Sequence, residues 1–308
     1  MVKRLTSAFL ALALVLSLIV SLGSFTVSAD ETETVGLYIA EKIIREELKL
    51  KTIESKTVGS YRKIELYRNG ELLKTDARLI NGMTYVALRS FINETVPEAE
   101  VRYNSKTKTV TVSGTELEIT ATDASYVVDA NGRALFTVSP SVIMTNGRMY
   151  VPISTMAKAL SLSLVPGGVK IDVNGRVAPI LTAEKYYRDD AVYWMSRIIS
   201  AESRGEGLYG QIAVGNVVLN RVDSSLYPNT IWGVIFDKKY GVQFSPILDG
   251  SIYNTPTESS ILAAKIALEG YRVSDRVMFF LAPKYAQSSW IPNTRTYEFT
   301  IGTHDFYS

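Results

Sequence analysis

The stretch "IISAESRGEG", residues 198–207, ends an apolar run on one carboxylate, Glu202, and sets a second, Glu206, four residues further on with Gly205 between them. Carboxylates are suited to general acid–base work on a bond whose leaving oxygen needs a proton. Stepping by 3.6 residues from Ala191 lands near Met195, Ile198 and Glu202, so Glu202 shares the stripe of the buried residues and points inward at the end of its helix. A partly desolvated carboxyl keeps its proton near neutral pH, the state a general acid needs. The structural alternative is a buried acid paired with Arg197 or Arg204. Glu206 is the candidate second carboxylate, and in a glycine-flanked turn it could equally be a solvated or capping side chain.

Composition removes most other chemistries. The 308 residues hold one histidine and no cysteine, which excludes an HExxH site, a Cys-His pair and any cluster able to hold zinc or copper. No metal and no cofactor are expected. Ser203 with His304 is the one nucleophile–base pair open to a peptidase or amidase. Lys and Arg (33) nearly balance Asp and Glu (31), so the overall field does not select nucleic acid as a partner.

The elements that must position the acids follow from pattern. After the turn, "QIAVGNVVLNRV" is apolar on nearly every side and reads as a central buried helix. Gln211 begins it and could orient Glu202 or a substrate amide; Asn216 and Asn220, four apart, share a face. "VQFSPILDG" places Gln243, Phe244 and Ser245 in a loop. Tyr253, Phe279, Phe280, Tyr285 and Trp290 could stack on sugar faces or pack a core. "TPTE", residues 255–258, reads as a capping box that launches a helix ending at Gly270. Asp237, Asp249 and Asp305 are further carboxyls, none in a segment that reads as an apolar cleft wall.

Upstream the period changes to that of strands. "YRNGELL" at 67–73 answers "DANGRAL" at 129–135, and "LINGMTYVAL" at 79–88 answers "MTNGRMYVPI" at 144–153, a repeat of roughly 62 to 65 residues. Asn-Gly between apolar runs is a hairpin signal, and a short helical pattern follows each Tyr-Val. Residues 60–175 thus read as a β-rich module of two repeats, 176–190 as a linker broken by Pro179, and 191–308 as a mainly helical domain. Because the repeats close before Pro179, the two halves are expected to be separable. Residues 1–29 read as a secretory signal peptide, with basic Lys3 and Arg4, an apolar run and small residues ending at Ala29. Residues 30–59 are a charged linker or entry segment. Membrane contact is expected only through an uncleaved leader.

The module resembles the copper amine oxidase N-terminal-like domain of bacterial surface proteins, on its "NG...YV" motifs, and with no His or Cys in it no copper is implied. The segments "WMSRIISAESRGEGLYGQIAVGNVVLNRV", "VQFSPILDGSIYNTPTE" and "IGTHDFYS" resemble the SleB family of cell wall hydrolases, the spore cortex-lytic enzymes. The resemblance implies a lysozyme-like, lytic transglycosylase-type fold with a small β element, Glu202 as catalytic acid and peptidoglycan as partner. It leaves Gln211, Asn220, Gln243, Phe244, Ser245 and Phe280 as candidate substrate-binding residues. A retaining or inverting glycosidase needs two carboxyls, whereas a lytic transglycosylase needs one, because the sugar's own C6 hydroxyl attacks the anomeric carbon. The expectation is therefore a multidomain α+β protein, secreted to a bacterial cell wall or spore envelope, that cleaves the glycan strand. The alternative is a catalytically inactive wall-binding or structural surface protein.

Overall fold

Of the five Asn-Gly pairs, 174–175 has only its glycine at positive φ, whereas 69–70, 81–82, 131–132 and 146–147 each have both residues there. That backbone matches the right-handed twist of antiparallel strands and makes each of these four a tight hairpin. The structure is a computed structural model that describes residues 61–137, 142–188, 190–239, 241–286 and 288–308. The expected leader and entry segment lie outside the described residues.

The strands of the first half are β1 (Arg62–Arg68), β2 (Glu71–Leu72), β3 (Ala77–Ile80), β4 (Met83–Ala87), β5 (Glu100–Asn104), β6 (Thr109–Gly114), β7 (Leu117–Thr122) and β8 (Val127–Ala130). They continue with β9 (Arg133–Phe136), β10 (Ile143–Thr145), β11 (Arg148–Pro152), β12 (Ser163–Gly167) and β13 (Lys170–Asn174). Helix α1 (Leu88–Thr95) follows β4, and α2 (Ile153–Ala159) follows β11. The order of hairpins and helix that α1 ends recurs before α2, yet the two stretches do not close on themselves. One sheet runs β10-β11-β4-β3-β1-β13-β12, with β2 on β1, and the other runs β5-β6-β7-β8-β9. Strands β4 and β11 pair antiparallel across the two stretches, and β1 lies parallel to β13. Phe91 and Ile92 of α1 and Met156 of α2 are buried with Val112, Ile119 and Val173 in one core.

The second half is helical: α3 (Ala183–Tyr186), α4 (Ala191–Ser203), α5 (Leu208–Asp223), α6 (Ile231–Ile235), α7 (Pro246–Asp249), a 3-10 turn (Ser251–Tyr253), α8 (Glu258–Leu268) and α9 (Trp290–Thr294). A small antiparallel sheet, β14 (Phe279–Leu281), β16 (His304–Tyr307) and β15 (Tyr297–Ile301) in that order, closes it. Helix α5 is buried along nearly its whole length, as its all-round apolar pattern predicts, and packs with α4 and α8. Asn216 and Asn220 do share a face of it. Asn216 holds the Tyr271 carbonyl and the Val273 amide, and Asn220 donates to the Ser274 and Val277 carbonyls. Helix α8 starts later than predicted, because Thr257, not Thr255, accepts from the Ser260 amide. No helix among the described residues is long and apolar enough to cross a membrane.

The two halves meet in a seam that a simple tether would lack. Tyr126, Val127 and Ala134 of the first half are buried in the same cluster as Met195, Ile198 and Val217 of the second. Phe136 packs edge-on to Tyr271 at 4.8 Å. Arg133 donates Nε at 2.7 Å and Nη2 at 2.8 Å to the two carboxylate oxygens of Glu269, just after α8. The segment expected to be a linker is also docked, with the Asn131 backbone carbonyl accepting from the Ala183 amide and the Asn131 side-chain nitrogen donating to the Ile180 carbonyl.

Candidate active site

Glu202 is the penultimate residue of α4, where Met195 and Ile198 of the same stripe are fully buried. Its carboxylate makes no hydrogen bond or ion pair among the described residues. Neither arginine of the structural alternative pairs with it. Arg197 stacks 3.6 Å over the Tyr193 ring, and Arg204 turns back to donate to the Ser200 carbonyl at 3.1 Å. Burial first, and the charge of Asp249 second, push the Glu202 carboxyl up to about 7. At neutral pH it is therefore a substantially protonated acid without a competing partner.

Glu206 has a different fate from either one the turn suggests. Its side chain is only 8% exposed and is clamped by the turn between β15 and β16. The Thr303 amide reaches both carboxylate oxygens at 3.2 Å, the Thr303 hydroxyl donates to Oε1, and His304 Nδ1 lies 3.3 Å from Oε1. Gly302, at φ 59°, carries the turn over this carboxylate, and a Cβ there would displace the Glu206 side chain. The group is held in place as a strut between the glycine turn and the small sheet.

Gln211, expected near Glu202 or a substrate amide, is engaged elsewhere. Its amide nitrogen donates to the Glu206 carbonyl at 2.8 Å and to Ser259 at 3.1 Å, and its carbonyl accepts from Ser260 at 2.9 Å. It ties α5 to the start of α8. Asn220 is likewise buried on backbone carbonyls, and Phe244 is buried beside Phe280 and the Arg221 guanidinium. These three build the scaffold, because a central helix without free polar surface must satisfy each buried amide internally. Phe280 is half-buried between Phe244, His304 and Phe306. Gln243, half-buried, donates to the Gly241 carbonyl, and Ser245 is exposed just before α7. Ser203 donates to the Ile199 carbonyl at 2.7 Å, so no Ser203–His304 pair exists. Among the described residues no group of His, Asp and Glu gathers as metal ligands do.

Sequence reasoning named Asp249 and Tyr253 but did not place their segment against α4. Asp249, the last residue of α7, is exposed, and its carboxylate accepts from the Ser251 amide at 2.8 Å. The Ser251 side chain first, and this backbone amide second, hold its carboxyl below the usual carboxylate range. Tyr253, in the following 3-10 turn, is 61% exposed and stands edge-on to Trp194 of α4 at 6.3 Å. Phe236 meets Trp194 and stacks with the half-exposed Trp232 at 5.1 Å. The "DG" turn and the spaced aromatics were visible in the sequence, but not that they pack on α4.

Residues 205–307 match the profile of a family described as Cell Wall Hydrolase, and residues 67–166 that of the copper amine oxidase N-terminal domain. The chain thus joins a cell wall hydrolase domain to a copper amine oxidase N-terminal domain. The first match takes in Glu206 and leaves Glu202 just outside it. Among curated relatives, a spore cortex-lytic enzyme of Bacillus cereus is 38% identical over 120 residues, covering 39% of this chain and 45% of the relative. A spore cortex-lytic enzyme of Oceanobacillus iheyensis is 34% identical over 128 residues, covering 42% of this chain and 45% of the relative. The chain thus spans less than half the length of these relatives. A solved structure, the catalytic domain of the germination-specific lytic transglycosylase SleB from Bacillus anthracis, is 38% identical. It covers 40% of this chain and 97% of its own, with a TM-score of 0.36.

Proposed function

We propose that the helical domain cleaves peptidoglycan glycan strands between N-acetylmuramic acid and N-acetylglucosamine as a lytic transglycosylase, acting on spore cortex during germination. The observation that carries this reading is the unpartnered, proton-holding carboxyl of Glu202 at the end of α4. In the proposed reaction Glu202 gives its proton to the glycosidic oxygen as the bond from the anomeric carbon breaks. The C6 hydroxyl of the same muramic residue attacks that carbon, and its proton returns to Glu202. The products are a strand with a free hydroxyl and a 1,6-anhydro end; no water is consumed and the acid is regenerated. A second carboxyl as nucleophile is not required. Ser245, Gln243 and the exposed ring of Tyr253 would meet the sugars. The β-rich module would hold this domain at the wall, outside the cell.

Glu202→Gln keeps shape but cannot release a proton, so turnover of purified cortex should fall about 10²–10⁴-fold while the fold persists. Mass spectrometry of the fragments in ¹⁸O water tests the chemistry: anhydro ends are expected, and reducing ends carrying solvent oxygen would replace the internal attack by hydrolysis. An active Glu202→Gln variant would remove Glu202 from the chemistry.

A further inference from the structure

We infer that the partly exposed stripe of α4 is a glycan subsite for a muramic side arm ending in a carboxylate, with aromatic rings against the sugar faces and Arg197 on the carboxylate. The inference rests on the reading of peptidoglycan as substrate. From Trp194 to the end of α4, only Trp194, Arg197, Ala201 and Glu202 escape full burial. They stand at i, i+3, i+7 and i+8 and so share one face, which runs roughly 12 Å along the helix axis from Trp194 to Glu202. Helices α5 and α8 pack on α4 and leave this stripe partly open. A strand lying along it reaches the acid.

Three rings meet Trp194 edge-on: Tyr193 at 4.9 Å, Phe236 at 5.1 Å and Tyr253 at 6.3 Å. Trp232 stacks on Phe236 at 5.1 Å. Tyr193, Trp232 and Tyr253 are exposed, so their rings are held by packing yet remain open to the apolar face of a sugar. Arg197 supplies the charge. Its guanidinium lies 3.6 Å over the Tyr193 ring, its Nη1 donates to the Tyr193 carbonyl at 3.4 Å, and its Nε is shut away from solvent without a hydrogen-bond partner. No carboxylate among the described residues forms an ion pair with it. A guanidinium laid flat on a ring keeps its edge free for a carboxylate. A muramic residue closed into a lactam offers no such group, and N-acetylglucosamine has no side arm at all. Arg197 would therefore set which sugar occupies the subsite.

The test is calorimetric binding to the full chain carrying Glu202→Gln, which removes turnover. The ligands are chitotetraose, the tetrasaccharide of alternating N-acetylglucosamine and N-acetylmuramic acid with free lactyl groups, and the same tetrasaccharide bearing stem peptides. A carboxylate-bearing ligand should bind about 10-fold tighter than chitotetraose, and which of the two does so names the source of the carboxylate. Adding Arg197→Gln should abolish that gap while leaving chitotetraose affinity in place, which also shows that the fold persists. Arg197→Lys should restore part of the gap. Trp232→Ala should weaken all three ligands alike. Equal affinity for the three ligands, or a gap that survives Arg197→Gln, would overturn the subsite. Cleavage by Glu202→Gln would overturn the acid instead, since the subsite is judged by affinities alone.

Discussion

Glu269 and Glu202 both sit at the C-terminal ends of helices, where the helix dipole disfavours a carboxylate, and both are largely withdrawn from water. At the seam between the halves, Glu269 is only 2% exposed but receives two hydrogen bonds from Arg133, one from the Tyr187 hydroxyl at 2.7 Å and the Lys158 ammonium at 3.0 Å. Burial alone would raise its pKa, and these donors outweigh burial and hold it below the usual range. Glu202 receives no donor, so burial and Asp249 prevail and the proton stays. The contrast separates a structural acid from a candidate chemical one. Desolvation is common to both, and the supply of donors decides which form is kept.

The largest stability effect should come from the seam. Glu269→Ala strands Arg133, itself 6% exposed, beside the ring of Tyr186, and should cost about 3–5 kcal/mol in urea unfolding at pH 7. A loss under about 1 kcal/mol would mean that the network adds no more than a surface pair does.

Glu202→Gln should move stability the other way. The folded state keeps the Glu202 proton up to about 7 while the unfolded chain releases it near 4.5, so wild-type stability falls as pH rises through that window. The variant escapes this fall and should be more stable than wild type by on the order of 2–3 kcal/mol at pH 8, with little difference at pH 4. Glu269 carries the opposite sign: its folded pKa is lowered, so its contribution is present above the unfolded value and is lost on acidification through the folded one. Equal unfolding midpoints for Glu202→Gln and wild type at pH 8 would contradict the contrast.

The smallest effect belongs to Lys158, whose side chain is 44% exposed. Lys158→Met should cost about 0.5–1 kcal/mol, because its ion pair with Glu269 is screened and Arg133 still neutralises the acid. A loss as large as that of Glu269→Ala would transfer the main role in the seam from Arg133 to Lys158.

What the sequence determined by itself was local. Four Asn-Gly pairs between strands form tight hairpins because few other residues tolerate positive φ twice in succession, and those turns were readable one by one. The stripe through Met195, Ile198 and Glu202 aimed an acid inward because a helix repeats every 3.6 residues. The all-round apolar α5 announced a central helix, and the capping signal before α8 was off by two residues, with Thr257 in place of Thr255 as the cap. Tertiary closure alone decided the partners. Strand β4 pairs with β11, Glu206 meets Thr303 across 97 residues, and Arg133 meets Glu269 across 136. Neighbours along the chain fix turns and periods, since those depend on a few backbone angles. Which donor reaches a buried carboxylate depends on how separate cores pack together, and that packing leaves Glu202 without a donor and Glu269 with three donor side chains.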